Sequence, residues 1–394
     1  MRSVLFCNEM LGLGHLRLSL ELARALVEPD ERSTALVVTG SGAFAGIRCS
    51  ERVDLLKLPA PPVGDSPWSL TSLRARAGLA LGEQQATALR AALSLAAVQQ
   101  FDPEVAVVDY RPLGRGEDLR PALEWLRRRG SCTVALGLWE VDDVGERLSV
   151  VWTPRLLEAV GKLYDLALVY GEPPDQDPRI EMLQRAGIPV HITDRVAAAP
   201  RTDPPTDLPE GYLLATTGGG VDGFPLLRAL LAAIRLRPLG RPAVIVSGPM
   251  MGAEQFDTLR DLAEGLDVRL EHFRADMEAV LAGAGAVVSM AGYCTVAEIL
   301  ASGKPSLLVP RAFPREEQLA RARRLTAAGR VQMIEPDQLT PERLRIQLDQ
   351  LLERAPSAAR PSTGAAEAAA ILRRAREGQA AAQAELRGGS PNSV

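Results

Sequence analysis

The chain has 394 residues, of which 46% are hydrophobic and 24% are charged, and its formal net charge is -4. This composition excludes a long disordered or fibrous protein, and the length suits two domains of roughly 150 to 200 residues each. The 45 basic and 49 acidic residues are interspersed without a long run of one sign. We therefore expect no nucleic-acid partner.

Cysteine usage and apolar runs bear on the cellular compartment. Cys7, Cys49, Cys132 and Cys294 lie far apart, with no CxxC pair and no Cys/His cluster at metal-ligand spacing. Reduced thiols of this kind are typical of the cytoplasm. The apolar run at Ser3–Cys7 is too short for a signal peptide, and no stretch approaches the ~20 apolar residues of a membrane span. We expect a cytoplasmic protein with no membrane span and no metal.

The first half of the chain alternates short apolar segments with amphipathic ones. This alternation predicts parallel strands joined by helices, and therefore an α/β fold. Segments rich in leucine and β-branched residues are typical of strands that are buried on both faces. The predicted strands are Ser3–Cys7, Ala35–Thr39, Val53–Leu58, Val105–Asp109, Thr133–Leu138 and Leu166–Tyr170.

A proline-rich segment divides the chain. Residues 196–210 contain four prolines, which prevent a regular helix or a central strand. The same alternation then restarts, which predicts a second doubly wound domain. Its predicted strands are Tyr212–Thr216, Ala243–Ser247, Val268–His272, Ala286–Met290, Ser306–Val309 and Val331–Ile334.

The C-terminal part of the chain is predicted to be helical. Leucines recur from Leu344 to Leu352, and a second helix is predicted from Gly364 to Leu386. The last residues lack apolar side chains and are expected to be disordered. The predicted organisation is a first domain at 1–195, a linker at 196–210, a second domain at 211–340, helices at 341–386 that pack back on the first domain, and a tail at 387–394.

A pair of glycines follows the first predicted strand. Gly12 and Gly14 lie where the strand turns sharply into a helix, and open α/β sheets bind ligands at such turns. The pair is not a dinucleotide fingerprint, because Arg17 stands where the third glycine of GxGxxG is needed. We predict that both glycines border the ligand cleft.

His15 follows these glycines on the first turn of the predicted helix. The helix dipole disfavours the imidazolium there, so the neutral ring is able to accept a proton from a hydroxyl group. Asp109 ends another predicted strand and is a candidate partner that orients the imidazole. The alternatives are a structural histidine at a helix start and an aspartate that caps a turn.

A second turn, at Ser289–Thr295, joins a predicted strand to the helix that follows it. Backbone N–H groups and the dipole at a helix start bind anions such as a diphosphate. Thr217–Gly220 follows the first strand of the same domain, and its glycines let the backbone approach a phosphate closely. The residues predicted to surround the phosphates are Gly218, Gly219, Gly220, Met290, Ala291, Gly292, Tyr293, Cys294 and Thr295.

Two further features fit a nucleotide. Glu298 lies one turn beyond the proposed phosphate site, where its carboxylate is able to accept hydrogen bonds from both hydroxyls of a ribose. The alternative is a capping box with Thr295, three residues earlier. Phe273 and Arg274 end another predicted strand and are expected to form a stacking and hydrogen-bonding wall for a nucleobase.

The segment Ser289–Ala322 resembles the donor region of GT-B glycosyltransferases. It is similar to the predicted glycosyltransferase group related to the peptidoglycan glucosaminyltransferases and, more distantly, to the UDP-sugar glycosyltransferases. The segments Gly12–Arg17, Tyr164–Gly171 and Gly218–Gly223 resemble the same group, so the likeness extends to about residue 335. Cys294 is a departure, since the relatives usually have asparagine or another polar residue at this position.

The resemblance implies two Rossmann-like, doubly wound parallel-sheet domains that face each other across a cleft, an acceptor domain first and a donor domain second. It further implies that Gly292–Thr295 hold the diphosphate, that Glu298 binds the ribose, and that Glu317 and Gln318 contact the donor sugar. The co-substrate implied is a nucleotide-diphosphate sugar of the UDP or dTDP type, without another cofactor.

Metal independence is also expected. Enzymes of the GT-B fold generally neutralise the leaving diphosphate with helix dipoles and with basic or hydroxyl groups, and Arg311 or Arg315 are candidates for this charge. The segment Asp175–Asp177 matches the DxD pattern of metal-dependent glycosyltransferases, but it lies between prolines and is predicted to be a solvated loop.

The predicted reaction is an inverting transfer of the sugar to an acceptor hydroxyl, with His15 as the base. The acceptor is an unidentified small molecule, and the loop Ala60–Trp68 and the segment Trp139–Asp143 are expected to border its pocket. One alternative is a nucleotide-sugar 2-epimerase of the same fold. Another is a non-catalytic homologue that activates a partner enzyme. The chain is expected to be a monomer or a homodimer.

Overall fold

The computed structural model describes residues 1–7, 14–41, 49–59, 79, 81–140, 146–313 and 315–388. Three predictions concern residues outside these ranges. They are that Gly12 borders the cleft, that residues 60–68 and 141–143 border the acceptor pocket, and that residues 389–394 are disordered.

The first sheet has seven described strands, all parallel, which agrees with the predicted α/β class. Its order is β3-β2-β1-β4-β5-β6-β7. The strands are β1 (Arg2–Cys7), β2 (Thr34–Thr39), β3 (Val53–Lys57), β4 (Val105–Asp109), β5 (Thr133–Trp139), β6 (Leu166–Tyr170) and β7 (Val190–Thr193). The helices of this part of the chain are α1 (Gly14–Val27), α2 (Glu83–Phe101), α3 (Arg120–Arg129), α4 (Glu146–Val151), α5 (Pro154–Leu163) and α6 (Pro178–Arg185).

The second sheet has six described strands, also all parallel, in the order β10-β9-β8-β11-β12-β13. The strands are β8 (Tyr212–Thr216), β9 (Ala243–Val246), β10 (Val268–Glu271), β11 (Ala284–Ser289), β12 (Ser306–Leu308) and β13 (Gln332–Met333). The helices that follow β7 are α7 (Phe224–Leu236), α8 (Ala253–Ala263), α9 (Met277–Gly283), α10 (Tyr293–Ser302), α11 (Glu317–Ala327), α12 (Pro341–Leu352) and α13 (Gly364–Gly388).

Several strand limits differ from the prediction. The edge strand β7 is not among the predicted strands, because Val190–Thr193 has only four residues, in which apolar and polar side chains alternate, and lacks the apolar run of a central strand. Strand β11 begins at Ala284, two residues before the predicted start, because its register with β8 shifts between Ala284 and Ala286. Alanine and glycine at this irregularity have low β propensity, so the sequence pattern does not mark the strand start.

The two C-terminal helices pack on different sheets. Leu344, Leu348 and Leu351 of α12 are buried in the core of the second sheet, beside α7. Helix α13 returns to the first sheet, where Leu372 is buried and Arg373 donates to the carbonyls at the end of α1. The prediction that both helices pack on the first domain is therefore wrong for α12. The apolar periodicity identified both helices but not the sheet that each one covers.

The strand orders decide where a ligand site forms. In an open α/β sheet the crevice lies at the carboxyl ends of the strands, where the strand order reverses. In the first sheet this point lies between β1 and β4, and in the second it lies between β8 and β11. The two points bring the segments after these four strands to one cleft.

No helix among the described residues combines the length and the apolarity that crossing a membrane requires.

Candidate active site

A cleft of about 1440 Å³ is lined by residues of both sheets. From the first sheet it receives the segments after β1, β4, β5 and β7, and from the second it receives the segments after β8, β9, β10, β11 and β12. This volume exceeds the ~300–1,000 Å³ of a typical small-molecule pocket, and it therefore has room for two bound molecules.

His15 and Asp109 meet at the floor of the cleft. His15 lies on the first turn of α1 and Asp109 is the last residue of β4, the strand beside β1 in the sheet. Nδ1 of His15 donates a hydrogen bond to Oδ2 of Asp109, and both side chains are buried. This bond fixes the tautomer, so that Nε2 is the nitrogen able to take a proton.

Aromatic rings surround the imidazole. The indole of Trp139 at the end of β5 stacks on His15, with ring centroids 3.9 Å apart and planes inclined by 18°. Tyr110 directly follows Asp109 and lies 5.5 Å from His15, centroid to centroid. Tyr110 has a φ of 66°, a conformation that residues other than glycine, asparagine and aspartate rarely adopt. The cost of this backbone conformation is typical of residues held at functional sites.

The predicted phosphate turn forms the start of α10. The helix begins at Tyr293, with Gly292 as the N-cap residue and no side-chain cap, so it starts three residues earlier than predicted. The N–H groups at this helix start therefore belong to Tyr293, Cys294 and Thr295, all of which line the cleft. Because the cap position holds glycine, no side chain occupies these donors, and they suit an anion.

The remaining residues of the turn have different surroundings. Met290 and Gly292 line the cleft. Ala291 is fully buried, and its carbonyl accepts a hydrogen bond from Arg321 of α11 at 2.8 Å. The thiol of Cys294 donates to the carbonyl of Gly14 at 3.0 Å. The predicted phosphate turn therefore touches the glycine turn that follows β1, and Cys294 is part of the contact between the two domains.

The glycine-rich loop Thr217–Gly220, after β8, packs closely against the backbone that follows β9. A Cβ atom on Gly220, whose φ is +91°, would lie 2.4 Å from the carbonyl oxygen of Ser247. Gly218 has a φ of +65° and faces Thr295 of α10, and Gly219 lines the cleft beside it. The loop therefore requires glycine for its conformation, and it presents its backbone to the same space as the start of α10.

Substitution of Gly220 tests how far the site depends on this loop. We expect Gly220→Ala to lower the free energy of unfolding by about 3 kcal/mol, because it combines a positive φ with a backbone clash. Gly240→Ala is the matched control, since Gly240 has a φ of +74° but open space around it. It is expected to cost about 1 kcal/mol. Urea denaturation measures both values, and equal losses would contradict the account of the loop.

Glu298 of α10 makes an ion pair with the first domain. Its Oε1 accepts from Nη2 of Arg17 at 2.9 Å, and Arg17 also contacts Glu278 of α9. Burial raises the pKa of Glu298 from 4.5 to about 7, although Arg17 opposes the shift. The alternative reading as a capping box with Thr295 is wrong, because the N-cap residue of α10 is Gly292.

Arg17 is a cleft residue that the sequence pattern does not assign to the site. In the structure it lines the cleft and pairs with Glu298. Its position two residues after His15, at the start of the same helix, was the available signal. Its carboxylate partners lie about 260 residues away in the chain, so no local pattern reveals them.

Phe273 and Arg274 both line the cleft, after β10. The guanidinium of Arg274 is already bound by the carboxylates of Asp207, Glu271 and Asp276. Nη1 donates to Asp207 at 2.8 Å and Nε donates to Asp276 at 2.8 Å. Both residues therefore lie where the wall for a nucleobase is predicted, but much of the hydrogen-bonding capacity of Arg274 is used by carboxylates of its own domain and of the linker.

Glu317 and Gln318 begin α11 and line the cleft. Both are anchored on Arg311, which follows β12. Nη2 of Arg311 donates to Oε1 of Glu317 at 2.5 Å, and the backbone N–H of Arg311 donates to Oε1 of Gln318 at 3.4 Å. Asp222 accepts from the same guanidinium at 3.0 Å. Arg311 thus holds both side chains at the cleft wall.

Within the described ranges no group of three or more His, Cys, Asp or Glu side chains is arranged to hold a metal ion. The DxD-like segment has another role. Asp177 caps α6 and forms a buried ion pair with Arg179, in which Nη2 lies 2.6 Å from Oδ2. The prediction of a solvated loop is wrong for Asp177, because its carboxylate satisfies a helix start, and it holds for the exposed Asp175.

A family model matches the second half of the chain. Residues 218–375 match the glycosyltransferase family 28 C-terminal domain. The UDP-N-acetylglucosamine--N-acetylmuramyl-(pentapeptide) pyrophosphoryl-undecaprenol N-acetylglucosamine transferase of Paenarthrobacter aurescens (strain TC1) is 31% identical over 180 residues. The match covers 44% of this chain and 48% of that relative, so the chain spans about half the length of the relative.

Solved structures are similar over nearly the whole chain. MurG of Acinetobacter baumannii has a TM-score of 0.56 at 14% identity, covering 95% of this chain and 100% of that chain. UDP-GlcNAc 2-epimerase from Methanocaldococcus jannaschii has a TM-score of 0.58 at 10% identity, covering 95% and 100%. At these identities the likeness shows the fold, which is GT-B. The predicted fold and the resemblance to GT-B glycosyltransferases are confirmed.

Proposed function

We propose that the protein is a glycosyltransferase that transfers a sugar from a nucleotide-diphosphate sugar to an acceptor hydroxyl. The observation that carries this proposal is the position of the His15–Asp109 pair. His15, which is bound to Asp109, and the start of α10 line the same cleft from opposite domains. A proton acceptor thereby faces an anion site, which is the arrangement that an attack on the anomeric carbon of a bound donor requires.

In the proposed mechanism, Nε2 of His15 takes the proton of the acceptor hydroxyl as the oxygen attacks the anomeric carbon. The bond from this carbon to the diphosphate breaks, and the nucleoside diphosphate leaves with the bonding electrons. Asp109 stabilises the imidazolium that forms. A single in-line displacement inverts the configuration at the anomeric carbon, so we propose an inverting reaction.

The donor is proposed to be of the UDP or dTDP type. The N–H groups at the start of α10 and the backbone of Gly218–Gly220 would bind the diphosphate. Glu298 would accept hydrogen bonds from the ribose, and Glu317 with Gln318 would contact the sugar. The dipole at the start of α10 supplies positive potential to the leaving group, which supports a metal-independent reaction. No other cofactor is proposed.

The acceptor is proposed to be a small molecule with an apolar body. Three exposed apolar side chains line the mouth of the cleft on the acceptor side and between the domains. Val150 and Val151 of α4 are 76% and 51% exposed, and Phe313 is 71% exposed. Apolar side chains grouped at the mouth of a cleft support binding of an apolar ligand surface.

The ionisation of Glu298 predicts how donor binding depends on pH. Ribose hydroxyls donate to the carboxylate, so binding favours its ionised form. With a pKa of about 7, affinity for a nucleoside diphosphate is expected to fall as the pH decreases below 7, by at most about tenfold per pH unit. The stability of the ligand-free protein depends on pH in the opposite direction. Because the pKa of Glu298 is higher in the folded than in the unfolded protein, the contribution of Glu298 to the free energy of unfolding is lost as the pH rises from 4.5 to about 7.

Calorimetric titration of UDP and dTDP between pH 5.5 and 8.5 measures this dependence. Glu298→Gln is the matched control, because glutamine has nearly the same shape as glutamate but does not ionise. Its affinity is expected to be lower and nearly independent of pH over this range. An equal pH slope in both proteins would show that another group causes the dependence.

A thermal-shift screen against nucleoside diphosphates and their sugars tests the donor part of the proposal. A ligand that binds only the folded protein raises the unfolding temperature by mass action. The proposal expects a shift with a UDP or dTDP compound, followed by transfer to hydroxyl acceptors that mass spectrometry detects. The absence of any shift with nucleotides would overturn it.

A nucleotide-sugar 2-epimerase is the second candidate, favoured by the fold shared with the epimerase from Methanocaldococcus jannaschii. An epimerase needs no acceptor. Turnover of the donor without any added acceptor, with formation of an epimer or release of nucleotide, would favour this candidate. Nucleotide binding without turnover across many acceptors would instead support a non-catalytic activator of a partner enzyme. The cytoplasm and a monomer or homodimer remain our predictions for location and assembly.

A further inference from the structure

One residue of the cleft has no role in the proposed chemistry although it contacts the base directly. Trp139 stacks on His15 with ring centroids 3.9 Å apart. The hydrogen bond to Asp109 holds one nitrogen of the imidazole, but a single bond leaves the plane of the ring to be set by packing. Rotation of the ring about this bond would swing Nε2 away from the acceptor. The indole face opposes this rotation.

The indole also affects the protonated state of the base. The face of an aromatic ring attracts a cation, and tryptophan attracts it most strongly. The imidazolium that forms during transfer therefore keeps a favourable contact with Trp139. A stacked aliphatic side chain would fill the same space without this attraction.

Trp139 is itself held from the second domain. Tyr293, the first residue of α10, stacks on it with centroids 5.1 Å apart and planes inclined by 10°. The hydroxyl of Tyr293 accepts a hydrogen bond from the backbone N–H of Val196 at 2.9 Å. Arg321 of α11 lies beside both rings, with its Cζ 6.0 Å from the Trp139 centroid and 5.7 Å from the Tyr293 centroid.

Arg321 ties together the segments that carry these two rings. Its Nε donates to Oε1 of Glu140, the residue after Trp139, at 2.9 Å. Its Nη1 donates to the carbonyl of Ala291, two residues before Tyr293, at 2.8 Å. The side chains of Arg321 and Glu140 are 1% and 0% exposed. A planar guanidinium makes such divergent bonds in a fixed geometry, which lysine cannot reproduce.

We propose that Trp139 is a positioning residue for His15, and that Arg321 makes its position depend on the contact between the two domains. The inference rests on the proposed function of His15 as the base. The contact between Arg321 and Glu140 fixes the position of the Trp139 indole, and the indole in turn fixes the plane of the His15 imidazole. The base is then correctly aligned only when the donor domain and the acceptor domain are together.

Kinetics of Trp139 variants test the positioning role. We expect Trp139→Leu to lower kcat by about 10- to 100-fold, because misplacement of a reacting group by about 1 Å has effects of this size. The KM for the donor should stay within about twofold of the parent value, because the proposed phosphate donors are backbone N–H groups of α10 and the indole is not one of them. Trp139→Phe restores an aromatic face and should bring kcat to within about threefold of the parent value.

Trp125→Leu is the matched control, because Trp125 lies in the same domain and packs against its core, outside the cleft. It is expected to leave kcat and KM unchanged. A Trp139→Leu protein with the parent kcat would overturn the proposal. So would a parallel loss of kcat and donor affinity in both Trp139 variants, since that pattern indicates a merely structural role.

Fluorescence tests the coupling without requiring turnover. An imidazolium in contact with an indole quenches its emission, so the emission of Trp139 should decrease as the pH is lowered and His15 becomes protonated. Trp139→Phe and His15→Gln should each abolish this decrease. Arg321→Lys should reduce it by about half or more, whereas Arg323→Lys should not, because Arg323 is exposed on the same helix and pairs with Glu335.

The two measurements separate the failure of this inference from the failure of the proposed function. A parent protein with no transferase activity but with quenching that depends on Arg321 would refute the function and support the coupling. Quenching that is equal in the parent and in Arg321→Lys would overturn the coupling, whatever the activity.

Discussion

Replacement of His15 by alanine is expected to lower kcat by roughly 10²- to 10⁴-fold, the range that general acid–base catalysis contributes. The reason is that the cleft loses the nitrogen that, in the proposed mechanism, takes the proton of the acceptor hydroxyl. The diphosphate site at the start of α10 does not include the imidazole, so the affinity for the nucleotide should change by less than about threefold. Initial rates at saturating donor and calorimetric titration of the nucleotide measure the two effects.

His191→Ala is the control for this variant. His191 lies exposed on the edge strand β7 and is not among the residues that line the cleft. It should keep the kcat of the parent protein. If His15→Ala also retains full activity, His15 is not the base. If it loses nucleotide binding together with activity, the imidazole supports the donor site and the assignment of roles is wrong.

Replacement of Asp109 by asparagine is expected to lower kcat by about 10²-fold or more. The carboxylate accepts the Nδ1 proton of His15 in the structure, and in the proposed mechanism it stabilises the charge that the imidazole gains during transfer. An amide of the same shape has no charge and presents an N–H group that favours the wrong tautomer. Because the side chain keeps its size, the fold should be preserved, which thermal unfolding checks.

The double variant His15→Ala/Asp109→Asn makes this prediction sharper. Asp109 acts through the imidazole, so its substitution should have no further effect on kcat once the imidazole is absent. The double variant is therefore expected to have the kcat of His15→Ala within about twofold. Additive losses of the two single variants would contradict a common role and would assign Asp109 a separate contact with the substrate.

Much of the architecture was predictable because its signals are local. The apolar runs of buried parallel strands, such as Val105–Asp109 and Leu166–Tyr170, stand out against their polar flanks, and both strands have the predicted limits. The edge strand β7 lacks such a run, and it was missed. The start of α10 was predicted three residues late, because Gly292 caps the helix without the side chain that usually marks a helix start.

The proximity of His15 and Asp109 was a correct inference from two strand ends. Residues that follow strands of one parallel sheet share an edge, but their separation along that edge depends on the strand order. Here β1 and β4 are neighbours, which brings the two side chains into contact. Arg274 shows the opposite case. Its place on the cleft was predicted, whereas the carboxylates of Asp207 and Asp276 that bind it were not.

Hydrophobic periodicity, glycine and proline act over a few residues, so the α/β class, the two-part organisation and the turns of the candidate site follow from local sequence. Three contacts follow only from the three-dimensional fold: Arg17 pairs with Glu298, Trp139 stacks on His15, and Arg321 binds Glu140. These contacts join residues more than 100 positions apart. They depend on strand order and on the approach of two domains, and no pattern along the chain encodes that geometry.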